Sequence, residues 1–162
     1  MNTKILFIFT IPMVVITGVA LFFWYGGGES SSIDDSSGLL INHSAIYVAE
    51  QAVGDRVFVS VVRLEKSGFV VIHEDVTDAP GIILGISSLI PAGEMKNLPS
   101  IMLSRAIVDG ELIYAMLHFD NGDGIFDVRN DKPVLDSVDG APMMMIVTVS
   151  KNASESGIVN PL

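Results

Sequence analysis

The chain has 162 residues, 19 Asp and Glu against 9 Lys and Arg, a net charge of −10 and no cysteine. The acidity argues against a nucleic-acid partner, because phosphate contacts need clustered Lys and Arg. The missing thiol excludes disulfides, a cysteine nucleophile, thiolate-held metal and lipid attachment through cysteine. A hydrophobic content of 49% is too high for a disordered chain.

Residues 1–4 form a short basic end, followed from Ile5 to Tyr25 by an uncharged apolar run whose polar members are Thr10, Thr17 and Gly18. As a helix it spans about 31 Å, the thickness of a bilayer core. Lys4 precedes it and every acid follows it, so the positive-inside rule places residues 1–4 in the cytoplasm and the acidic part outside. Trp24 and Tyr25 suit the interfacial belt. A cleaved secretory signal is the competing reading, with Gly18 and Ala20 at a cleavage-like spacing. Both readings send the domain outside the cell.

Residues 26–43 are expected to form a flexible tether, with Gly, Ser and Asp dominating Gly26 to Gly38. Such a segment reaches roughly 20 Å and keeps the folded part close to the membrane. Asn42-His43-Ser44 and Asn152-Ala153-Ser154 are glycosylation sequons on either side of the folded region.

From Ser44 to Ser150 the pattern predicts one domain of short β-strands. The predicted strands are Ala45 to Gln51, Arg56 to Leu64, Phe69 to His73, Gly81 to Ser87, Leu98 to Ile107, Leu112 to His118 and Met143 to Ser150. In the second, Val57, Val59 and Val61 are expected on one face with Phe58, Ser60 and Val62 on the other. Lys66-Ser67-Gly68 reads as a hairpin turn, Pro91-Ala92-Gly93 as a break, and residues 151–162 as a disordered tail. About seven strands without a helical stretch predict an antiparallel, immunoglobulin-like β-sandwich. The cysteine pair and core tryptophan of antibody domains are absent, so the expectation concerns architecture alone.

Two strand ends share one local form, Val71-Ile72-His73-Glu74-Asp75 and Met116-Leu117-His118-Phe119-Asp120. In an extended chain residues two apart share a face, so His73 with Asp75 and His118 with Asp120 each present an imidazole and a carboxylate together. Such pairs suit Zn, Cu(II), Ni or Mn, while a structural histidine bonded to its own Asp or to a backbone carbonyl explains the same pattern. A calcium loop is the second candidate, with Asp120, Asn121, Asp123 and Asp127 as oxygen donors around Gly122 and Gly124. Aligning Gly124 with the invariant EF-hand glycine puts Phe119 where the first Asp belongs and Asn130 where the bidentate Glu belongs. It is therefore not an EF-hand, and an acidic turn is the plain alternative.

Met143-Met144-Met145 reads as core fill before it reads as a soft copper set. No Gly-x-Ser-x-Gly elbow and no phosphate-binding glycine pattern sits between a strand and a helix.

The run Ser67 to Asp75 containing Gly-Phe-Val-Val-Ile-His, then Gly81 to Ser87 leading to Pro91-Ala92-Gly93, and Met116 to Asp120 with Phe126-Asp127 resemble an uncharacterised domain of archaeal surface and secreted proteins. That domain is common in haloarchaea and is often carried behind a signal or membrane segment. The resemblance covers about Tyr47 to Val149 and implies an extracellular β-sandwich without supplying an activity. The turn after Asp120 is about one residue shorter than the family form. The expected role is a non-enzymatic structural or interaction module of the cell envelope, anchored by one span, with an envelope protein or glycan as partner. The alternative is a Cu/Zn or calcium-binding extracellular domain using His73, Asp75, His118, Asp120, Asn121, Asp123 and Asp127. An envelope hydrolase ranks last, and no oligomeric state follows from the pattern.

Overall fold

A computed structural model describes residues 43–153. The expected anchor, the tether up to residue 42, Asn42 and residues 154–162 of the tail lie outside the described residues.

Among the described residues there are nine strands and no helix: β1 (Ala45–Tyr47), β2 (Gly54–Val57), β3 (Val61–Leu64), β4 (Gly68–Asp75), β5 (Pro80–Ile86), β6 (Gly93–Lys96), β7 (Ile101–Ile107), β8 (Leu112–Phe119) and β9 (Met144–Thr148). They form a four-stranded sheet in the order β5-β4-β8-β9, a three-stranded sheet β1-β3-β6 and a pair β2-β7. Every pairing of these strands is antiparallel. Val62 and Leu64 of β3, Ile101 and Ile107 of β7, Val70 and Ile72 of β4 and Ile113 and Leu117 of β8 belong to one buried core. Each such side chain contributes about 1.5–3 kcal/mol by leaving water. The fold is thus a β-sandwich with a shared interior.

The difference between seven expected strands and nine has two sources. Arg56 to Leu64 is broken at Phe58, Val59 and Ser60, because the chain there leaves β7 and joins β1 and β6. Val59 and Ser60 are both buried, which ends the simple alternation. Gln51 substitutes for a strand at the break: its side-chain Oε1 accepts the Phe58 N–H at 2.8 Å and its Nε2 donates to the Phe58 carbonyl at 3.1 Å. The other addition is β6, a polar Gly-Glu-Met-Lys stretch without an apolar pattern. Its Glu94 is ion-paired with Arg63 of β3.

The Lys66-Ser67-Gly68 segment is not a hairpin turn. β3 pairs with β1 and β6, whereas β4 pairs with β5 and β8. The segment carries the chain from one sheet to the other, since Leu64 and Val70 enter the same core. The true tight hairpin joins β4 to β5, where Thr77 and Asp78 both take left-handed φ values of 56° and 61° and the Val76 N–H donates to the Ala79 carbonyl at 2.8 Å. Two consecutive left-handed residues make a type I′ turn, which matches the twist of the strands.

Gly68 sets the spacing at the start of β4. A Cβ there would lie 2.1 Å from the backbone oxygen of His118, an overlap that only movement of β4 away from β8 would relieve. Gly68→Ala is expected to lower the unfolding free energy by about 3 kcal/mol. Urea unfolding followed by circular dichroism measures this, and an unchanged midpoint would contradict so close a strand contact.

Candidate functional site

The β4–β8 pair carries side chains on two buried faces. Its inner residues, Val70, Ile72, Ile113, Ala115 and Leu117, enter the core. On the opposite face Phe69, Val71 and His73 of β4 and Tyr114, Met116 and His118 of β8 are buried as well, and none of the six belongs to that core cluster. The register arranges them in rows: Phe69 opposite His118, Val71 opposite Met116, and His73 opposite Tyr114. Ile86 of β5 and Met144 of β9 extend the middle row to both margins of the sheet.

His73 and His118 therefore stand two rows apart, about 13 Å along the strands. Their ring centroids nevertheless lie 6.3 Å apart, with the planes 20° from parallel. Both rings lean toward each other over the Val71–Met116 row. Backbone carbonyls hold them there: His73 Nδ1 lies 2.9 Å from the Gly81 oxygen and His118 Nδ1 lies 2.9 Å from the Asp131 oxygen. A carbonyl can only accept, so each Nδ1 carries a proton, and in the neutral form of such a ring the lone pair is at Nε2. Gly81 belongs to β5, on the far side of β4, and Asp131 lies beyond β8, near the Pro133 bridge to His118. The two rings are held in a stacked relation. Both Nε2 atoms are buried and have no hydrogen-bond partner.

The surroundings are apolar. The Phe126 ring meets His118 edge-on at 5.4 Å and Phe69 at 5.5 Å. Burial pushes His118 below the usual histidine range; the His73 ring acts in the same direction, against the Asp131 hydrogen bond and charge. The neutral ring is the metal-binding form.

The expected carboxylates have other partners. Asp75 Oδ1 accepts the Tyr114 hydroxyl at 3.2 Å. Desolvation, with the Asp75 bond and the charges of Asp75 and Asp78, raises the Tyr114 hydroxyl above its ordinary value. In the acidic loop Asp120 Oδ1 accepts the Gly124 N–H, Asn121 Oδ1 the Asp123 N–H, Asp123 Oδ1 the Ile125 N–H and Asp127 Oδ1 the Arg129 N–H, all between 2.9 and 3.0 Å. These are local turn contacts of the Asx type. No group of three or more His, Asp or Glu side chains able to hold a metal occurs among the described residues. Of the expected metal residues, the structure brings His73 and His118 together. Asn152 of the second sequon is exposed, and its N–H donates to the Ser150 hydroxyl.

One residue of the site, Asp131, was outside the sequence expectation. Asp131 is fully buried, and its carboxylate accepts the Asn121 N–H at 2.9 Å and the Asp127 N–H at 2.7 Å while its carbonyl holds His118. Met116 shares the face of His118, a relation that the two-residue spacing already contains.

Two outcomes follow from these contacts. In the unfolded chain His118 binds a proton near its ordinary value of about 6.5, and in the folded chain only at lower pH. The unfolded state then holds more protons below about pH 6.5, so this contribution is complete above that value and declines as pH falls toward the depressed one. His118→Asn, which keeps a donor for the Asp131 carbonyl, is expected to flatten that part of a melting-temperature profile; an identical slope refutes the assignment. Asp131→Ala strands two backbone donors and should cost about 3 kcal/mol, read by chemical denaturation, whereas a cost below about 1 kcal/mol contradicts a supporting role for the carboxylate.

No curated protein and no solved structure matches the chain. Residues 44–150 match a family described as a domain of unknown function (DUF7282), and with the whole β-sandwich included in the match the chain belongs to that family.

Proposed function

We propose that the chain is a membrane-anchored, outward-facing module of the cell envelope that acts without catalysis, by holding a transition-metal ion between His73 and His118. The observation that carries this reading is the pair of buried Nε2 atoms without partners. A buried acceptor left unpaired costs about 1–3 kcal/mol, and metal ligation uses the lone pair that remains after Nδ1 has been fixed by a carbonyl. Two imidazoles facing each other across one ion, with metal–nitrogen bonds of about 2 Å, have centroids about 6 Å apart, close to the 6.3 Å found.

The apolar run Ile5 to Tyr25 and the acidic remainder support the anchor and its orientation. The antiparallel sheets β1-β3-β6, β2-β7 and β5-β4-β8-β9, which send side chains into one core, support an immunoglobulin-like arrangement. The archaeal surface origin suggested by the motifs belongs to the same reading. A structural or interaction role, with an envelope protein or glycan as partner, is favoured by Ile86, Met144 and Ile146, exposed at the margins of the four-stranded sheet.

Elemental analysis of the full chain, purified in detergent, stripped and reloaded with a panel of first-row metal ions, tests the metal reading. One ion per chain is expected, lost in His73→Ala and in His118→Asn and kept in Asp75→Asn, Asp120→Asn and Asp123→Asn. Equal metal content in the histidine variants, with their folding confirmed by circular dichroism, sinks the proposal.

A further inference from the structure

Resting on that metal reading, we infer that the site selects monovalent copper, held by His73 Nε2 and His118 Nε2 with the Met116 thioether as a soft third donor. Four observations carry the choice. The first is the ligand count. Divalent zinc requires about four donors, whereas among the described residues no third His, Asp or Glu joins the two imidazoles in a metal-holding group.

The second is dryness. His73 is 8% exposed and His118 2% exposed, and the aromatic edge of Phe126 lies against the His118 ring. A divalent ion would have to complete its shell with water, which such a lining excludes. A filled-shell monovalent ion is content with two nitrogen donors on opposite sides.

The third is charge. Both histidines supply neutral nitrogen, so the ion's charge is not cancelled by its ligands. The cost of burying an ion rises with the square of its charge, which makes a divalent ion about four times as costly as a monovalent one of equal size.

The fourth is the register. Val71 and Met116 form the row between the two histidine rows, on the same face, and Met116 is buried. Met144 is the direct cross-strand neighbour of Met116. Thioether sulfur selects Cu(I) over the harder divalent ions. Met145, by contrast, packs against the core, and its sulfur accepts the Val48 N–H at 3.2 Å, so the methionine run divides between the two faces.

The test is anaerobic titration of the full chain in detergent with Cu(I) in competition with a chromophoric Cu(I) chelator, alongside titrations with Zn(II), Ni(II) and Cu(II). One Cu(I) per chain is expected, bound at least about a hundredfold more tightly than any of the divalent ions. Copper X-ray absorption should report a low-coordinate Cu(I) with two nitrogens and one sulfur. Met116→Leu, close in volume and so expected to fold, should lose the sulfur signal and weaken Cu(I) binding about tenfold. Equal or tighter binding of a divalent ion by the same histidines overturns the copper assignment and leaves the metal reading standing. Binding of none of the four ions overturns both. A Met116→Leu protein with unchanged Cu(I) affinity and spectrum overturns the third ligand.

Discussion

Seven antiparallel residue pairs between β4 and β8 form the central contact of this molecule. Gly68 to His73 and Ile113 to His118 are buried along their whole length, which is why both stretches read as nearly continuous apolar runs. A strand buried on one face alternates; a strand buried on both does not. The inner face is covered by the opposite sheet through Val62 and Leu64. On the outer face the segment after β8 brings Phe126 onto Phe69 and His118.

Placing histidine in such a layer has a physical consequence. An imidazole has two nitrogens, and a sheet face offers few polar partners. Here a backbone carbonyl satisfies one nitrogen of each ring, and the second is left bare on both. A purely structural histidine explains one carbonyl-bonded ring, because the second nitrogen ordinarily reaches solvent or another donor. It leaves unexplained why two rings, each with a bare nitrogen, come to a centroid separation of 6.3 Å from rows about 13 Å apart. The shared ion proposed above would account for that convergence.

Most of the strands were legible because they depend on local periodicity, whereas the approach of His73 to His118 depends on the carbonyls of Gly81 and Asp131. Extended backbone alternates side chains, so the His-x-Asp spacing puts His73 and Asp75 on one face; Tyr114 stands opposite His73 in the register and its hydroxyl donates to Asp75. The partners of the carboxylates were not legible. Asp75 meets a tyrosine 39 positions away, and Asp120 bends back onto the next turn. The break after Val57 was hidden because Val, Phe and Ser are all strand-compatible; the Gln51 side-chain amide, seven residues earlier, takes up the Phe58 backbone there. β6 lacked any pattern, since it is an exposed margin held by pairing with β3 and by the Arg63–Glu94 ion pair. Met116 stands at the same two-residue spacing from His118 as Asp120, on the other side.

Asp131 joins the two candidate regions of the sequence into one. Its carboxylate accepts N–H groups from Asn121 and Asp127, closing the acidic loop around a negative charge supplied by the protein itself. Its carbonyl fixes the tautomer of His118. The oxygens that made the loop look like a calcium site thus serve, in large part, to order backbone, and the ordered backbone in turn aims an imidazole. A residue that lies 13 positions from His118, outside both motifs, determines which of its nitrogens is available.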